Sequence, residues 1–291
     1  LTLTDSIAMN YKVAVAKNHE LTKDGEPVMT FQIGGRSYQA AAAESSESED
    51  AIEYSYSLKE LLPQQMSEKV NATVSLGEIS ATKKDYSVQI YCESMLKKDS
   101  EALGISTYKL TALRTLLVDM LYYGDAAQEY IGQTAVTTAG LTEEQKAWRS
   151  SDTTGSASNN RGVSGTASED YKWQSARLQL RDRVAVVLSF YAKETENLVV
   201  RATVNGQEKE YTNFHENGNG SYSVVLEGVM PTQYETAVSA QLYQGESPIG
   251  QKVTYSVGTY VYKMKNEEGL KDMLRGIYDY GYAARAYANT Q

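Results

Sequence analysis

The sequence predicts an α+β fold: two tandem repeats of an antiparallel β-sandwich of immunoglobulin or fibronectin type, each followed by an α-helical hairpin. Three observations support this. Segments with alternating apolar and polar residues open each half, turn residues separate them, and helical spacing appears only near the end of each half. Because strands precede helices in both halves, the order favours an α+β class rather than a parallel α/β sheet.

An internal repeat sets the domain boundaries. Four pairs of segments recur in the same order: LTLTDSIA (1–8) with LQLRDRVA (178–185), PQQMSEKVNA from Pro63 with PTQYETAVSA from Pro231, DYSVQIY (85–91) with TYSVGTY (254–260), and LRTLLVDMLYYGDAAQEY (113–130) with LKDMLRGIYDYGYAARAY (270–287). We therefore predict a first module over 1–132, with its sandwich at 1–88 and its helical hairpin at 89–132. A linker over 133–177 follows, and then a second module over 178–291, with its sandwich at 178–257 and its hairpin at 258–291.

The strands are predicted from alternation and from β-branched and aromatic residues. In the first module they are DSIAMNYKVAVA, PVMTFQI, RSYQAAA, AIEYSYSL and KVNATVSL, separated by turns such as KDGEP. In the second module Asn205-Gly206 stands between two strand-like runs and predicts a tight hairpin. The acidic tract ESSESED (44–50) is predicted to be a solvated loop, because adjacent like charges favour water.

The helices are predicted from apolar residues at three- and four-residue spacing. One apolar stripe follows this spacing through Leu113, Leu117, Met120, Gly124, Ala127 and Ile131. A shorter helical segment, QIYCESMLKK, precedes it. Tyr123 and Tyr130, with their counterparts Tyr280 and Tyr287, recur at equivalent positions, and we expect them to pack the helices rather than form a site.

Composition excludes several classes of function. The chain has a net charge of −9 and its basic residues do not cluster, which argues against nucleic acid or an anionic membrane as a partner. No apolar run approaches the length of a membrane span. The residues LTLTDS lack the charged and apolar regions of a signal peptide, which leaves the compartment open.

Residues that carry enzyme chemistry are sparse. The single cysteine, Cys92, is expected to be a buried thiol, and His19 and His215 to be exposed turn residues at different places in the two modules. No metal site and no cofactor are expected. The 37 Asp and Glu residues still leave a glycoside hydrolase open as a third hypothesis, because such enzymes need only two carboxylates.

The linker is the main segment that the repeat does not account for. Both tryptophans of the chain, Trp148 and Trp173, flank a tract in which 16 of the 19 residues from Ser150 to Ser168 are Ser, Thr, Gly, Asn or Ala. Such a tract buries little apolar surface, so we expect it to be mobile on its own. Before it, Thr142 and Gln145 form a capping-box pattern that predicts a short helix.

The motif pair Y-S-V-x-x-Y and Y-G-x-A-A-x-x-Y, together with the preceding strands, resembles a module of large secreted and cell-surface proteins of gut Firmicutes, including a starch-adherence (amylosome) protein. The resemblance covers nearly the whole chain apart from the linker. It implies an extracellular, non-catalytic protein of the cell surface that binds glycan, with starch-type α-glucan as the favoured ligand and with membership of a larger surface assembly.

Two functional hypotheses follow. In the first, an aromatic platform at the inter-module joint stacks on sugar rings while short polar groups bind their hydroxyls. The candidate ligand-binding residues are Trp148, Trp173, Tyr171, Asp152, Asn159, Asn160 and Arg161. In the second, the modules form a structural spacer or protein-adhesion module, both indoles are buried, and the linker is only surface. Trp173 in particular, five residues before Leu178, could instead anchor the second sandwich.

Overall fold

A computed structural model describes residues 7–17, 25–59, 61–181 and 183–290. His19, and the repeat positions Leu1, Leu3, Asp5 and Asp182, lie outside the described residues. The fold is α+β, with antiparallel sheets and six α-helices among the described residues, which confirms the predicted class. No helix in the described part of the chain has both the length and the apolar character needed to cross a membrane.

The first half holds seven strands and then helices. The strands are β1 (Met9–Ala16), β2 (Val28–Ile33), β3 (Arg36–Ala40), β4 (Glu44–Glu47), β5 (Ala51–Leu58), β6 (Val70–Leu76) and β7 (Ile79–Tyr86). The helices are α1 (Val88–Leu96), α2 (Ser100–Leu103), α3 (Thr107–Tyr130) and the short α4 (Glu143–Lys146). The strands form two sheets, of order β1-β5-β4 and β3-β2-β6-β7.

The second half begins with two strands that precede its own seven. These are β8 (Gly162–Ser164) and β9 (Tyr171–Gln179), followed by β10 (Ala185–Ala192), β11 (Leu198–Val204), β12 (Gln207–Tyr211), β13 (His215–Gly218), β14 (Ser221–Leu226), β15 (Val238–Gln244) and β16 (Ser247–Tyr255). Helices α5 (Val257–Met264) and α6 (Lys271–Ala288) end the chain. Its sheets have the orders β13-β14-β10-β9 and β12-β11-β15-β16-β8.

Local signals of the sequence account for many of the boundaries. Asn205 and Gly206 have φ of 53° and 78° and join β11 to β12, as the hairpin prediction requires. The predicted capping box at Thr142 and Gln145 is present at the start of α4. Cys92 is buried in α1, as predicted, and burial raises the pKa of its thiol.

The acidic tract is a correction to the sequence analysis. Residues 44–50 were expected to form a solvated loop, but Glu44–Glu47 is strand β4, paired with β5 at the edge of its sheet. All four residues are exposed, so the prediction of solvation was correct and the prediction of a loop was wrong. Charged side chains suit an edge strand, because they discourage pairing with another chain.

The core continues from the sheets into the helices. The apolar stripe of α3 is buried from Leu113 to Ala127, while Ile131 lies only partly buried beyond the end of the helix. Helices α3 and α6 pack against each other, and the rings of Tyr123 and Tyr280 stack there with centroids 5.7 Å apart. This helix pair brings the two halves of the chain together.

Candidate functional site

The segment between α3 and β9, residues 133–170, lies across the paired helices, and we call it the strap. It contains α4 and β8 and a single 3-10 turn at Thr154–Ser156. The sequence predicted a mobile tract from Ser150 to Ser168. In the structure the strap forms hydrogen bonds to residues far away in the chain, and these bonds hold it against the helices.

The strap is attached first to the C-terminal part of α3. The carboxylate of Asp125 accepts hydrogen bonds from the backbone N–H groups of Thr137 and Thr138, at 2.6 Å and 3.2 Å, and from the Thr138 hydroxyl. Gln128 accepts from the N–H of Val136 at 2.9 Å, while its amide donates to the Gln64 carbonyl at 3.1 Å. The strap thus supplies hydrogen-bond donors, mostly backbone N–H groups, to the polar side chains of Asp125 and Gln128 on α3.

The same pattern recurs nearer the middle of α3, at Asp119. This carboxylate is fully buried, and it accepts from the N–H of Ser150 at 3.0 Å and from the Ser150 hydroxyl at 2.6 Å. Burial raises the pKa of Asp119 to about 6; the hydrogen bonds from Ser150 and the charge of Arg149 lower it, and the nearby charge of Asp279 raises it. The hydrogen-bond donors to Asp119 are therefore neutral groups of Ser150, and burial disfavours the charged form of its carboxylate.

The strap then reaches α6 at Asp279, which is also buried. Its Oδ1 accepts from the N–H and the hydroxyl of Thr153, at 2.9 Å and 2.6 Å. Its Oδ2 accepts from Arg275 Nε at 3.2 Å and lies 3.7 Å from Arg149 Nη2. The Arg149 guanidinium also lies over the Tyr122 ring of α3, 3.9 Å from its centroid.

Together these contacts form a clamp, which we define as Asp119, Asp279, Ser150, Thr153 and Arg149. One consecutive stretch of the strap binds a carboxylate on α3 and another on α6, so it joins the two helices. Ser150 and Thr153 suit the clamp, because a short hydroxyl side chain can offer both its hydroxyl and its backbone N–H to one carboxylate. All four oxygens of the two carboxylates have protein partners, which leaves this pair unsuited to acid-base work on a substrate.

Sequence reasoning missed the clamp. It singled out neither Asp119 nor Asp279, although both stand within apolar helical sequence, in VDML and IYDY. A charged residue on the buried stripe of a helix is a usable signal, since a buried carboxylate needs a partner. The identity of the partner was not readable, because Thr153 and Asp279 are 126 residues apart.

The two tryptophans have separate environments. Trp148 follows α4 and is half-buried, with the guanidinium of Arg114 from α3 lying 4.3 Å from its ring centroid. Trp173 is half-buried in β9; its Nε1 donates to the Gln251 carbonyl of β16 at 2.7 Å, and its ring meets Phe190 of β10 edge-on at 5.6 Å. Their partners belong to different halves, so these contacts do not assemble the two indoles into one platform.

The other predicted ligand-binding residues are spread along the second half. Tyr171, in β9, donates its hydroxyl to the Gln244 side chain at 3.3 Å. Asn160 donates its amide to the Glu235 carbonyl at 3.1 Å and its backbone N–H to the Thr259 hydroxyl at 2.9 Å. Asn159 and Arg161 flank it and are exposed.

Asp152 lies near a polar cavity at the start of α6. It accepts from the N–H and the hydroxyl of Thr154, at 2.9 Å and 2.6 Å. Burial raises the pKa of Asp152, but the bonds from Thr154 and the charges of Arg275 and Lys271 outweigh it and hold the pKa below its ordinary value. The cavity has a volume of about 340 Å³, and its lining is Asp152, Thr154, Gly155, Lys265, Asn266, Lys271 and Arg275.

Comparison with known proteins identifies no family. No family model matches the chain, and no curated protein matches it. Among solved structures, it is similar over 84% of its length to a pullulanase from Anoxybacillus sp. LM18-11 complexed with maltotriose, at 8% identity and a TM-score of 0.22. The match spans 24% of the pullulanase chain, and at this TM-score it carries no argument about fold or function.

Proposed function

We propose that this chain is a non-catalytic structural connector of the spacer or protein-adhesion type. In this proposal, two copies of one β-sandwich-plus-helical-hairpin unit are held as a rigid pair. The observation that carries the proposal is the clamp, in which neighbouring strap residues Ser150 and Thr153 bind one buried carboxylate on each long helix. A hinge between two independent units would not need buried polar bonds at its joint.

The duplication is supported by strand order and register. Strands β1 to β7 correspond one by one to β10 to β16, with the same neighbours in each sheet. Met9 pairs with Leu58 in the first half, and Val186 pairs with Leu226 in the second. Met9 and Val186 directly follow the aligned segments 1–8 and 178–185, and Leu58 and Leu226 each lie five residues before the aligned Pro63 and Pro231. Pairs of strands that share a register bury the same set of side chains, so the two halves use one packing pattern.

The helices support the duplication as well. Ser87 caps α1 by accepting from Ile90 N–H, and Ser256 caps α5 by accepting from Thr259 N–H. The N–H of Gln89 donates to the Met66 carbonyl at 2.9 Å, and at the aligned position Gly258 donates to Tyr234 at 2.9 Å.

The joint between the units has an approximately two-fold character. Tyr123 and Tyr280, which are aligned in the repeat, stack on each other, as expected for an isologous contact. A cavity of about 100 Å³ lies beside them. Its lining contains four aligned pairs: Ile7 with Val184, Leu61 with Val229, Pro63 with Pro231, and Tyr123 with Tyr280. Gly276 permits the close approach, since a Cβ there would lie 3.1 Å from Cα of Tyr123.

The rigid connector is tested by the distribution of distances between its two halves. Cysteines replace exposed Lys84 on β7 and Lys209 on β12 in a Cys92→Ala background, and spin labels report the separation. We expect one narrow distribution of distances. Asp279→Ala should broaden it, whereas Asp152→Ala, which removes a strap carboxylate outside the clamp, should leave it narrow. A broad distribution of distances in the labelled chain with an intact clamp would contradict the proposal.

Glucan binding by Trp148 and Trp173 stays a prediction from the sequence and the resemblance, as does location at a cell surface. The protein partners of the indoles, Arg114 for Trp148 and the Gln251 carbonyl for Trp173, support the connector over the aromatic platform, while each indole stays only half-buried. Iodide quenching of tryptophan emission, with and without soluble glucans, separates the two. Tryptophan emission and iodide quenching that a polysaccharide panel leaves unchanged are expected of the connector; a saturable glucan-induced change in either would favour the platform.

A further inference from the structure

The polar cavity between the strap and α6 gathers basic side chains from two parts of the second half. It has a volume of about 340 Å³, and three cations line it: Lys265, which follows α5, and Lys271 and Arg275 of α6. Lys271 and Arg275 are four residues apart, so they share one face of the helix. Asp152 of the strap supplies one carboxylate to the same lining. The lining is therefore basic, although the chain as a whole has a net charge of −9.

The two halves differ at this place. In the first half, α3 begins at Thr107 and continues through Arg114, whose guanidinium lies 4.3 Å from the centroid of the Trp148 ring. The repeat aligns Arg114 with Lys271, but α6 begins only at Lys271. Lys271 is exposed and lines the cavity, whereas an indole covers its counterpart in the first half.

The ammonium of Lys265 is positioned by two contacts at the wall of the cavity. Its Nζ donates to the Thr154 carbonyl at 3.4 Å and lies 5.6 Å from the centroid of the Tyr262 ring. Because an ammonium has three N–H donors, it can bind this carbonyl and an anion at the same time. Positioning the charge in advance lowers the entropy cost of ordering a flexible lysine when a ligand binds.

Arg275 joins the cavity to the clamp. Its Nε donates to Asp279 Oδ2 at 3.2 Å, and its partly exposed side chain lines the cavity. A guanidinium carries five N–H donors in a planar fork, so it can bind Asp279 and the oxygens of an anion together. The bond to Asp279 also fixes the orientation of the guanidinium before a ligand arrives.

Asp152 offsets only part of the positive charge of the lining. Its carboxylate accepts from the N–H and the hydroxyl of Thr154, at 2.9 Å and 2.6 Å. Burial raises the pKa of Asp152, but the bonds from Thr154 and the charges of Arg275 and Lys271 hold it below its ordinary value, so the group is ionised at neutral pH. One carboxylate against three cations leaves an excess of positive charge, which favours a ligand with more than one negative charge.

We propose that this cavity binds a compact multivalent oxyanion of the phosphate type, either free or as a phosphate ester on a larger molecule. The ammonium groups of Lys265 and Lys271 and the guanidinium of Arg275 bind its oxygens through charge-assisted hydrogen bonds. The volume of the cavity lies within the range of small-molecule sites, about 300–1,000 Å³. This site is a function additional to the connector, which requires no ligand.

The probe is inorganic pyrophosphate, titrated into the full chain at constant ionic strength and followed by isothermal titration calorimetry. We expect saturable binding at one site per chain, and weaker binding at higher salt because partly exposed charges are screened. Glycerol 1-phosphate, titrated in the same way, distinguishes the two sources of the phosphate group. Binding of both probes would assign the site to phosphate esters, and binding of pyrophosphate alone would assign it to a free diphosphate-type anion.

Two double variants form a matched pair. Lys265→Gln with Lys271→Gln removes two cations from the lining, and Lys252→Gln with Lys263→Gln removes the same charge from exposed lysines outside it. We expect at least ~10-fold weaker pyrophosphate binding for the first pair, because charge-assisted hydrogen bonds are lost. For the second pair we expect less than ~2-fold change, because only screened long-range attraction is altered.

A single variant keeps the test independent of the strap. Lys271→Gln leaves the bond between Lys265 and the Thr154 carbonyl in place, and we expect it to weaken pyrophosphate binding at least ~3-fold. Circular dichroism checks the folding of every variant. Full binding by Lys271→Gln would contradict the site as described.

Two further results would overturn the proposal: absence of saturable binding of either probe, or equal loss of binding in the two double variants, which would mean non-specific attraction. A failure here leaves the narrow distance distribution of the connector untouched. Conversely, a broad distribution with intact pyrophosphate binding would remove the connector and keep the anion site.

Discussion

The two halves of the chain contain the same order of seven strands but meet the strap in different ways. The strap touches the first half along its helices, chiefly through Asp125 and Asp119 of α3 and also through Gln89 of α1. In the second half it contributes β8 to one sheet and leads directly into β9 of the other. The same segment therefore binds the helices of the first half through hydrogen bonds and forms part of a sheet of the second half.

The largest effect is expected from removing Asp279, the clamp carboxylate on α6. Asp279→Ala leaves Arg149 and Arg275 without their buried carboxylate and Thr153 without its acceptor. Removing one partner of a buried ion pair typically costs about 3–5 kcal/mol, and we expect a loss of unfolding free energy in that range. Urea denaturation measures it, with Asp152→Ala as the control for a strap carboxylate outside the clamp. Equal stability of the two variants would mean that the clamp does not hold the helices.

A smaller loss is expected when the indole of Trp173 is removed from the second half. Trp173→Ala removes the indole from between β10 and β16 and its bond to Gln251. Complete burial of tryptophan is worth about 3–5 kcal/mol on truncation, so half-burial predicts about 2–3 kcal/mol. Hydrogen exchange of β10 should accelerate in this variant and stay unchanged in Trp148→Ala. Faster exchange of β10 in both variants would contradict separate roles for the indoles.

Asp119 should give the first half a dependence of stability on pH. Its folded pKa of about 6 lies above the ordinary value of 3.8, so the folded state binds a proton that the unfolded state has lost between these values. The contribution is present below pH 3.8 and is lost as pH rises through 6, with a limiting slope of about 1.4 kcal/mol per pH unit. Asp119→Asn should remove this part of the pH profile, measured by urea denaturation. An unchanged profile would show that Asp119 does not titrate in this range.

The smallest effect is expected from partly filling an apolar groove of about 230 Å³ that is lined by Val13 of β1 and Ala81 of β7. Val13→Phe introduces the residue type found at its counterpart, Phe190, and covers apolar surface between β1 and β7. We expect thermal unfolding to show a gain of about 0.5–1 kcal/mol, typical of a cavity-filling change. A destabilised variant would indicate that this position does not correspond to Phe190.

The sequence predicted what depends on local pattern. The Asn205-Gly206 hairpin and the Thr142–Gln145 capping box need only neighbouring residues, so both were readable. The edge strand Glu44–Glu47 was missed because its pairing with β5 outweighs the preference of its charges for a loop.

The candidate site was harder to predict because its partners are distant in the chain. The Ser- and Thr-rich tract has the composition of a mobile linker, and its bonds go to residues far away in the chain, among them Asp119, Asp279 and Thr259. Trp173 was weighed both as a ligand platform and as an anchor, and the contacts with Phe190 and Gln251 fit the anchor. Composition could not decide this, because an indole at a joint serves either role.

Hydrogen exchange of the strap amides tests the central comparison most directly. If the strap is bonded to both long helices, the amides of Ser150 and Thr153, which donate to the buried carboxylates of Asp119 and Asp279, exchange only through larger opening events. Asp279→Ala should then accelerate the exchange of the Thr153 amide. Rapid exchange of both amides in the unmodified chain would contradict the account.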